Sequence, residues 1–312
     1  MEIFLHILTH NIIPIFILIG TGALIGWRFK LDVTTLSKIN FYAFMPFYAF
    51  VVIYTNDLSA NMAVTLLFSI LFLFINAALA YLTAAARRMG SRKKHALANS
   101  IMFYNTGNIG IPLITLIYAG TPWLNQALVI QITIMLFIAL TTNTIGFYNA
   151  GRGSMHWKDS IFSVLKMPAI WAILSASLLK HFDFDLQTSF IWPAFIYLKQ
   201  AMIGFVLVTL GVQLSATKIK NRDPDVAVAV ILRLLLSPTL GLLILKLLRI
   251  DGLTGQVLFV SSSAPTAVTA ALIAIERNCE PEFASKTALF STILCSVSLV
   301  FVVYFSKILF PV

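Results

Sequence analysis

Ten apolar runs of roughly twenty residues, parted by short charged or turn-rich gaps, fill almost the whole of this chain. About 20 mostly apolar residues is the length that carries a helix across the hydrocarbon core of a bilayer. The runs fall at about 6–27, 34–54, 61–86, 94–119, 124–148, 160–180, 191–213, 225–249, 255–276 and 284–308. Only 11% of the 312 residues are charged, against about 25% in a soluble domain. The expected fold class is therefore an all-α integral membrane protein, with no gap long enough to hold a soluble domain.

The net charge of +10 does not point to nucleic acid, because the basic residues form no single face. Fifteen of the 22 lysines and arginines lie in or beside the gaps after runs 1, 3, 5, 7 and 9, and four lie on the opposite side. Basic residues stay cytoplasmic, so both termini are expected on the outer side of the cell (inner) membrane. Only Glu2 is charged ahead of the first run, which therefore lacks the basic start of a secretory signal and reads as a retained span. Cys279 and Cys295 make no metal or redox pattern, and no cofactor is expected.

The two halves echo each other. "PIFILIGTGALIGWRFKLD" from Pro14 and "PAIWAILSASLLKHFDFD" from Pro168 each read as a proline, an apolar run, a basic pair and an aspartate. Lys38 of "LSKIN" then pairs with Lys199 of "YLKQA". Five spans per half is an odd number, so the second copy enters the membrane from the other side. Such inverted repeats characterise many secondary transporters. The expected units are residues 1–150 and 151–312.

Two spans are internally broken in corresponding positions. The fourth carries "FYNTGNIGIPL" from Phe103, and the ninth carries "SSSAPTA" from Ser261. Within a helix, each glycine costs about 1 kcal/mol and each proline about 3 relative to alanine. Proline also strips the partner from the carbonyl four residues earlier, here that of Asn108 for Pro112 and that of Ser261 for Pro265. In hydrocarbon such backbone survives only inside protein or beside a water-filled cavity. Two half-helix N-termini aimed at one cavity favour an anion. The candidate substrate-binding residues are Asn105, Thr106, Gly107, Asn108 and Pro112 in the fourth span, and Ser262, Ser263, Pro265 and Thr266 in the ninth. Arg233, eight residues into the eighth span, joins them as an intramembrane charge; it faces the cavity or snorkels to the interface. Lys166 and Lys199, nearer their helix starts, read as snorkelling. Pro14, Pro46, Pro168 and Pro238 read as kinks or helix starts. Gly22 and Gly26 read as close helix packing, and Gln131, Asn143 and Asn76 as interhelical hydrogen bonds.

All twelve acids lie in gaps or at helix ends. No carboxylate is placed to carry a proton or a cation at the midplane, which disfavours a cation exchanger. No histidine or acid sits within a span beside a nucleophile, so no enzyme activity is expected.

The chain resembles the auxin efflux carrier family, whose bacterial members include malate- and malonate-type permeases. The resemblance rests on "LSKINFYAFMPFYAF", "NTGNIGIPLI", "KMPAIWAIL", "LRLLLSPTLG" and "SSAPTAVTAALIA", in that order and spacing. It implies a fold shared with bile acid symporters and sodium/proton antiporters: ten helices in two inverted repeats with crossed, broken helices 4 and 9. It also implies a scaffold, residues 1–58 and 160–215, and a mobile transport domain, residues 60–150 and 224–310, that carries a carboxylate in an elevator-like movement. The long cytoplasmic loop of the plant carriers is absent, which argues against auxin itself as substrate. The expected function is secondary transport of a small organic anion. A sodium-coupled symporter and a ligand-binding sensor without transport remain alternatives. Expected partners are that anion and the lipid bilayer; proton or sodium coupling and a homodimer stay open.

Overall fold

The computed structural model describes residues 2–56, 62–151, 166–217 and 223–312. Within them every element is a helix apart from one isolated β-bridge. The helices are α1 (Glu2–Phe29), α2 (Val33–Thr55), α3 (Met62–Ala86), α4 (Ser91–Met102), α5 (Thr106–Tyr118), α6 (Leu124–Ala150), α7 (Pro168–His181), α8 (Trp192–Ser215), α9 (Pro224–Leu247), α10 (Gly252–Ser262), α11 (Val268–Glu276) and α12 (Pro281–Leu309). Among the described residues, α1, α2, α3, α6, α8, α9 and α12 are long and apolar enough to cross a membrane. The fourth run is split into α4 and α5, and the ninth into α10 and α11. The first part of the sixth run lies outside the described residues, as do Arg152, Lys158, Lys218, Lys220 and Arg222 of the orientation argument.

Four prolines inside helices share one accommodation. A single wide π-type turn, with hydrogen bonds spanning five residues, ends two residues before each of Pro14, Pro46, Pro112 and Pro238. Proline offers no N–H and its ring collides with the carbonyl four residues back. Widening the preceding turn moves that carbonyl aside, so the helix continues instead of stopping. A fifth wide turn, Thr142–Gly146, precedes no proline; it presses Gly146 against the Phe103 ring.

Asp32 starts α2 by accepting the N–H groups of Thr34 and Thr35 and the Thr35 hydroxyl. Those bonds, the Thr35 hydroxyl foremost, hold its carboxyl below the usual range. At the end of α3, Arg87 meets Asp225 at 2.7 Å, and Lys93 meets Asp223 at 2.9 Å and Asp225 at 2.6 Å. These pairs tie the α3–α4 hairpin to the start of α9.

The packing pairs α1 with α8 and α2 with α7. It also pairs α3 with α4 and α9 with α10, α5 with α6 and α11 with α12, and α3 with α6 and α9 with α12. The α1–α8 contact is the tightest. A Cβ on Gly22 would overlap the Val208 carbonyl, one on Gly211 would overlap the Ile19 carbonyl, and one on Gly26 would come within 2.5 Å of the Ser215 hydroxyl. The packing role expected of Gly22 and Gly26 is what the structure gives them, with Gly211 as their partner on α8. The seam is backbone against backbone, the arrangement small residues permit in membranes.

Overpacking such a seam costs about 1–3 kcal/mol. Gly211→Val should therefore lower the thermal unfolding midpoint of the detergent-purified protein by several degrees. Gly204→Ala, on the same helix but with open space around it, should leave the midpoint unchanged or raise it. Differential scanning fluorimetry on the two variants checks both signs.

Candidate functional site at a helix crossover

The α4–α5 and α10–α11 breaks meet. Tyr104 and Thr266 form an antiparallel β-bridge. The Asn105 N–H donates to the Pro265 carbonyl at 2.8 Å, and the Ala267 N–H donates to the Phe103 carbonyl at 3.0 Å. Exchanging the two strands leaves this pattern unchanged, so the crossing has a local two-fold relation. The bonds satisfy backbone that would otherwise be stranded in hydrocarbon.

The break in the fourth run sits earlier than the sequence suggests. It occupies residues 103–105, and Pro112 lies in the first α-helical turn of the second half, absorbed by the wide turn Thr106–Gly110. Pro112 is buried and adds no opening. In the ninth run the Ser261 carbonyl is not left free, because the Ala264 N–H reaches it at 3.0 Å. The carbonyls that do leave the helix here, those of Ser262 and Ala264, are taken by a side chain from α9.

That side chain is Arg233, which is fully buried. Its Nε donates to the Ala264 carbonyl at 3.0 Å, its Nη1 to the Ile101 carbonyl at 2.9 Å and its Nη2 to the Ser262 carbonyl. The guanidinium lies 4.7 Å from the Tyr104 ring centroid and 5.6 Å from that of Phe72. It therefore does not snorkel, and it is not among the residues that line the cavity described next. Lys166 is exposed and Lys199 is partly buried, and neither lines that cavity.

A cavity of about 170 Å³ opens on the α5 side of the crossing. Asn105, Thr106, Gly107 and Asn108 line one wall together with Tyr104. Ala267, Val268 and Thr269, the start of α11, line a second. Ser37 and Asn40 of α2, Thr142 and Asn143 of α6 and Gln213 of α8 add polar groups, and the rest of the lining, with Phe41, Met45, Met135 and Leu272, is apolar. Both second-half helices thus present their N-termini to one space. Among the described residues no acceptor meets the N–H groups of Gly107, Val268 and Thr269. The Asn105 side-chain oxygen caps α5 by accepting from the Asn108 N–H at 3.1 Å. Its Nδ2, the Asn40 Oδ1, the Gln213 Oε1 and the Tyr104 hydroxyl are buried and unpartnered. Among the described residues no charged side chain lines the cavity.

Of the candidates read from sequence, Asn105, Thr106, Gly107 and Asn108 line the cavity. Ser262, Ser263, Pro265 and Thr266 do not; they build the crossing beneath it. The Ser262 and Ser263 hydroxyls return to the Phe259 carbonyl. The Thr266 hydroxyl donates to the Ser100 carbonyl at 2.8 Å, and its N–H to the Ser291 hydroxyl at 3.1 Å. Gln131 donates to the Thr106 carbonyl at 2.8 Å, and the Ser237 hydroxyl donates to Asn76 at 2.5 Å; both amides act as interhelical bonds. Asn143 bonds the Ala139 carbonyl and also lines the cavity. Sequence reasoning missed Asn40, Gln213 and Tyr104. The signal for the first two was an amide within an apolar run.

Residues 153–303 match the family described as membrane transport protein. This stretch, just under half of the chain, is similar to that family, the one of the auxin efflux carriers. The resemblance read from the sequence motifs is thereby borne out. An uncharacterized transporter of Methanothermobacter thermautotrophicus is 26% identical over 296 residues, covering 93% of this chain and 96% of its own length. An uncharacterized transporter of Methanocaldococcus jannaschii is 29% identical over 170 residues, 54% of each chain. The family and these relatives, with the long apolar helices, make the protein a multi-pass membrane transporter.

Leaving a buried carbonyl unsatisfied costs about 1–3 kcal/mol. Thr266→Val should strand the Ser100 carbonyl and lower the unfolding midpoint measurably, whereas Thr266→Ser should keep the wild-type value. A thermal melt of the three proteins in one detergent decides whether the hydroxyl holds the crossing.

Proposed function

We propose that the protein is a secondary active transporter of a small organic anion, a mono- or dicarboxylate, working by elevator-type alternating access. The observation that carries this reading is the convergence of two half-helix N-termini, with unbonded N–H groups, on one small and mostly apolar cavity. Helix N-termini carry roughly half a positive charge each and point donors at a ligand. The Asn105 Nδ2 adds another donor. A cavity near 170 Å³ is well below the ~300–1,000 Å³ of drug-sized pockets, which suits a compact solute.

The wall composition supports the division into a scaffold, residues 1–58 and 160–215, and a transport domain, residues 60–150 and 224–310. Ser37, Asn40, Ala169 and Gln213 come from the first set, and Asn105, Asn143 and Val268 from the second. The paired contacts also support two inverted five-helix repeats: α1 on α8 matches α7 on α2, and α3 on α4 matches α9 on α10. On this reading the full chain has ten spans.

A second cavity, about 490 Å³, shares Gln213, Val268 and Leu272 with the first and reaches Thr34, Thr217, Ile275 and Glu282. Those residues border the gaps after the first, seventh and ninth runs, the side that the lysine and arginine count assigns to the cytoplasm. The conformation is accordingly read as inward-facing, in an inner membrane with both termini outside.

The purified protein in proteoliposomes, offered a panel of radiolabelled mono- and dicarboxylates with and without imposed pH and sodium gradients, should accumulate at least one of them. Asn105→Asp keeps the cap on the Asn108 N–H but puts a negative charge in the cavity, so it should abolish uptake while leaving the thermal midpoint unchanged. Transport by Asn105→Asp at the wild-type rate would remove the anion reading.

A further inference from the structure

Arg233 presents an electrostatic question that the cavity does not answer. A guanidinium fully withdrawn from water is unfavourable by several kcal/mol unless it is compensated. Among the described residues no carboxylate pairs with it. Its compensation is backbone. The Ile101 carbonyl lies in the last turn of α4, and the Ser262 and Ala264 carbonyls lie at and just past the end of α10. Helix C-termini carry roughly half a negative charge each, so two ends meeting at one point supply about one unit, the charge of one guanidinium. Two aromatic faces, Tyr104 and Phe72, close the site at cation–π distance.

We propose that Arg233 is the resident cation of the crossover, a tethered charge on backbone carbonyls that would otherwise form an inorganic cation site. The native protein then binds no sodium at these carbonyls, and any coupling ion acts elsewhere. Removing the side chain uncovers a latent cation site. Arg233 is thus a positioning residue: it holds the C-terminal ends of α4 and α10 together so that the N-terminal ends of α5 and α11 stay aimed at the cavity. This inference rests on the hydrogen bonds of Arg233 and not on the anion reading, and its test needs no substrate.

The full-length protein, purified in detergent, is melted with sodium chloride or with N-methyl-D-glucamine chloride at matched ionic strength. Sodium should raise the Arg233→Ala midpoint saturably and beyond any rise in wild type; the same sodium response in the two proteins would overturn the proposal. Arg233→Ala strands three carbonyls, so its midpoint should fall by about 5–10 °C. Millimolar propylguanidinium should restore most of that loss saturably, and neutral propylurea should not. An Arg233→Ala protein that melts like wild type, or is rescued equally by propylurea, would overturn it. Should Arg233→Ala not fold, Arg233→Lys provides the measurement. A single ammonium reaches fewer carbonyls than the guanidinium fork but still occupies the site, so Arg233→Lys should melt below wild type and show no rise with propylguanidinium; a saturable rise would overturn the assignment. A wild-type midpoint for Arg233→Lys would count against the fork geometry and overturn the assignment.

Discussion

Every backbone polar group inside a bilayer needs a partner from the protein, and the crossover of the two broken helices is where this chain meets that demand at highest density. Interrupting a helix at membrane depth frees several carbonyls and N–H groups at once. The two breaks satisfy each other through the Asn105–Pro265 and Ala267–Phe103 bonds. Arg233, Thr266 and Gln131 take carbonyls that the bridge leaves over. What remains unbonded is asymmetric in chemistry: the C-terminal ends are filled by a protein cation, and the N-terminal ends are open to the cavity. That asymmetry is the basis for reading the site as a receptor for negative charge.

Much of this was legible in the sequence, and the reasons differ by element. Run length and polarity placed the helices within a few residues, because hydrocarbon thickness fixes how long a span must be. The paired breaks were visible because glycine, proline and amides are poor helix formers at any depth. Their position was less legible. "NTGNIGIP" looks broken through its whole length, yet only residues 103–105 leave the helix, because a wide turn absorbs the two glycines and Pro112. The same device hid the fate of Pro14, Pro46 and Pro238, whose helices run on.

The role of Arg233 was not readable from its own neighbourhood. Depth in a span distinguishes cavity from interface, but its partners are 29 to 132 residues away in sequence. The carbonyls it meets are exposed only by the folding of other helices. Asn40 and Gln213 were overlooked for a related reason. A lone amide in an apolar run reads equally as glue or as ligand, and only the assembled walls separate Gln131, which is bonded across helices, from Asn40, whose oxygen faces no partner.

The antiparallel bridge between Tyr104 and Thr266 has a mechanical consequence. It stitches the two broken helices by main-chain bonds on both sides of the pair, so neither can advance without the other. The distance between the start of α5 and the start of α11 is therefore a fixed dimension of the molecule. On the proposed elevator reading, the rearrangement that exposes the cavity to the opposite face of the membrane would leave this half of the wall intact and slide it as a unit against the surface carrying Asn40, Met45 and Gln213. On that reading selectivity for the solute would reside in the stitched half, and the change in access in the sliding surface.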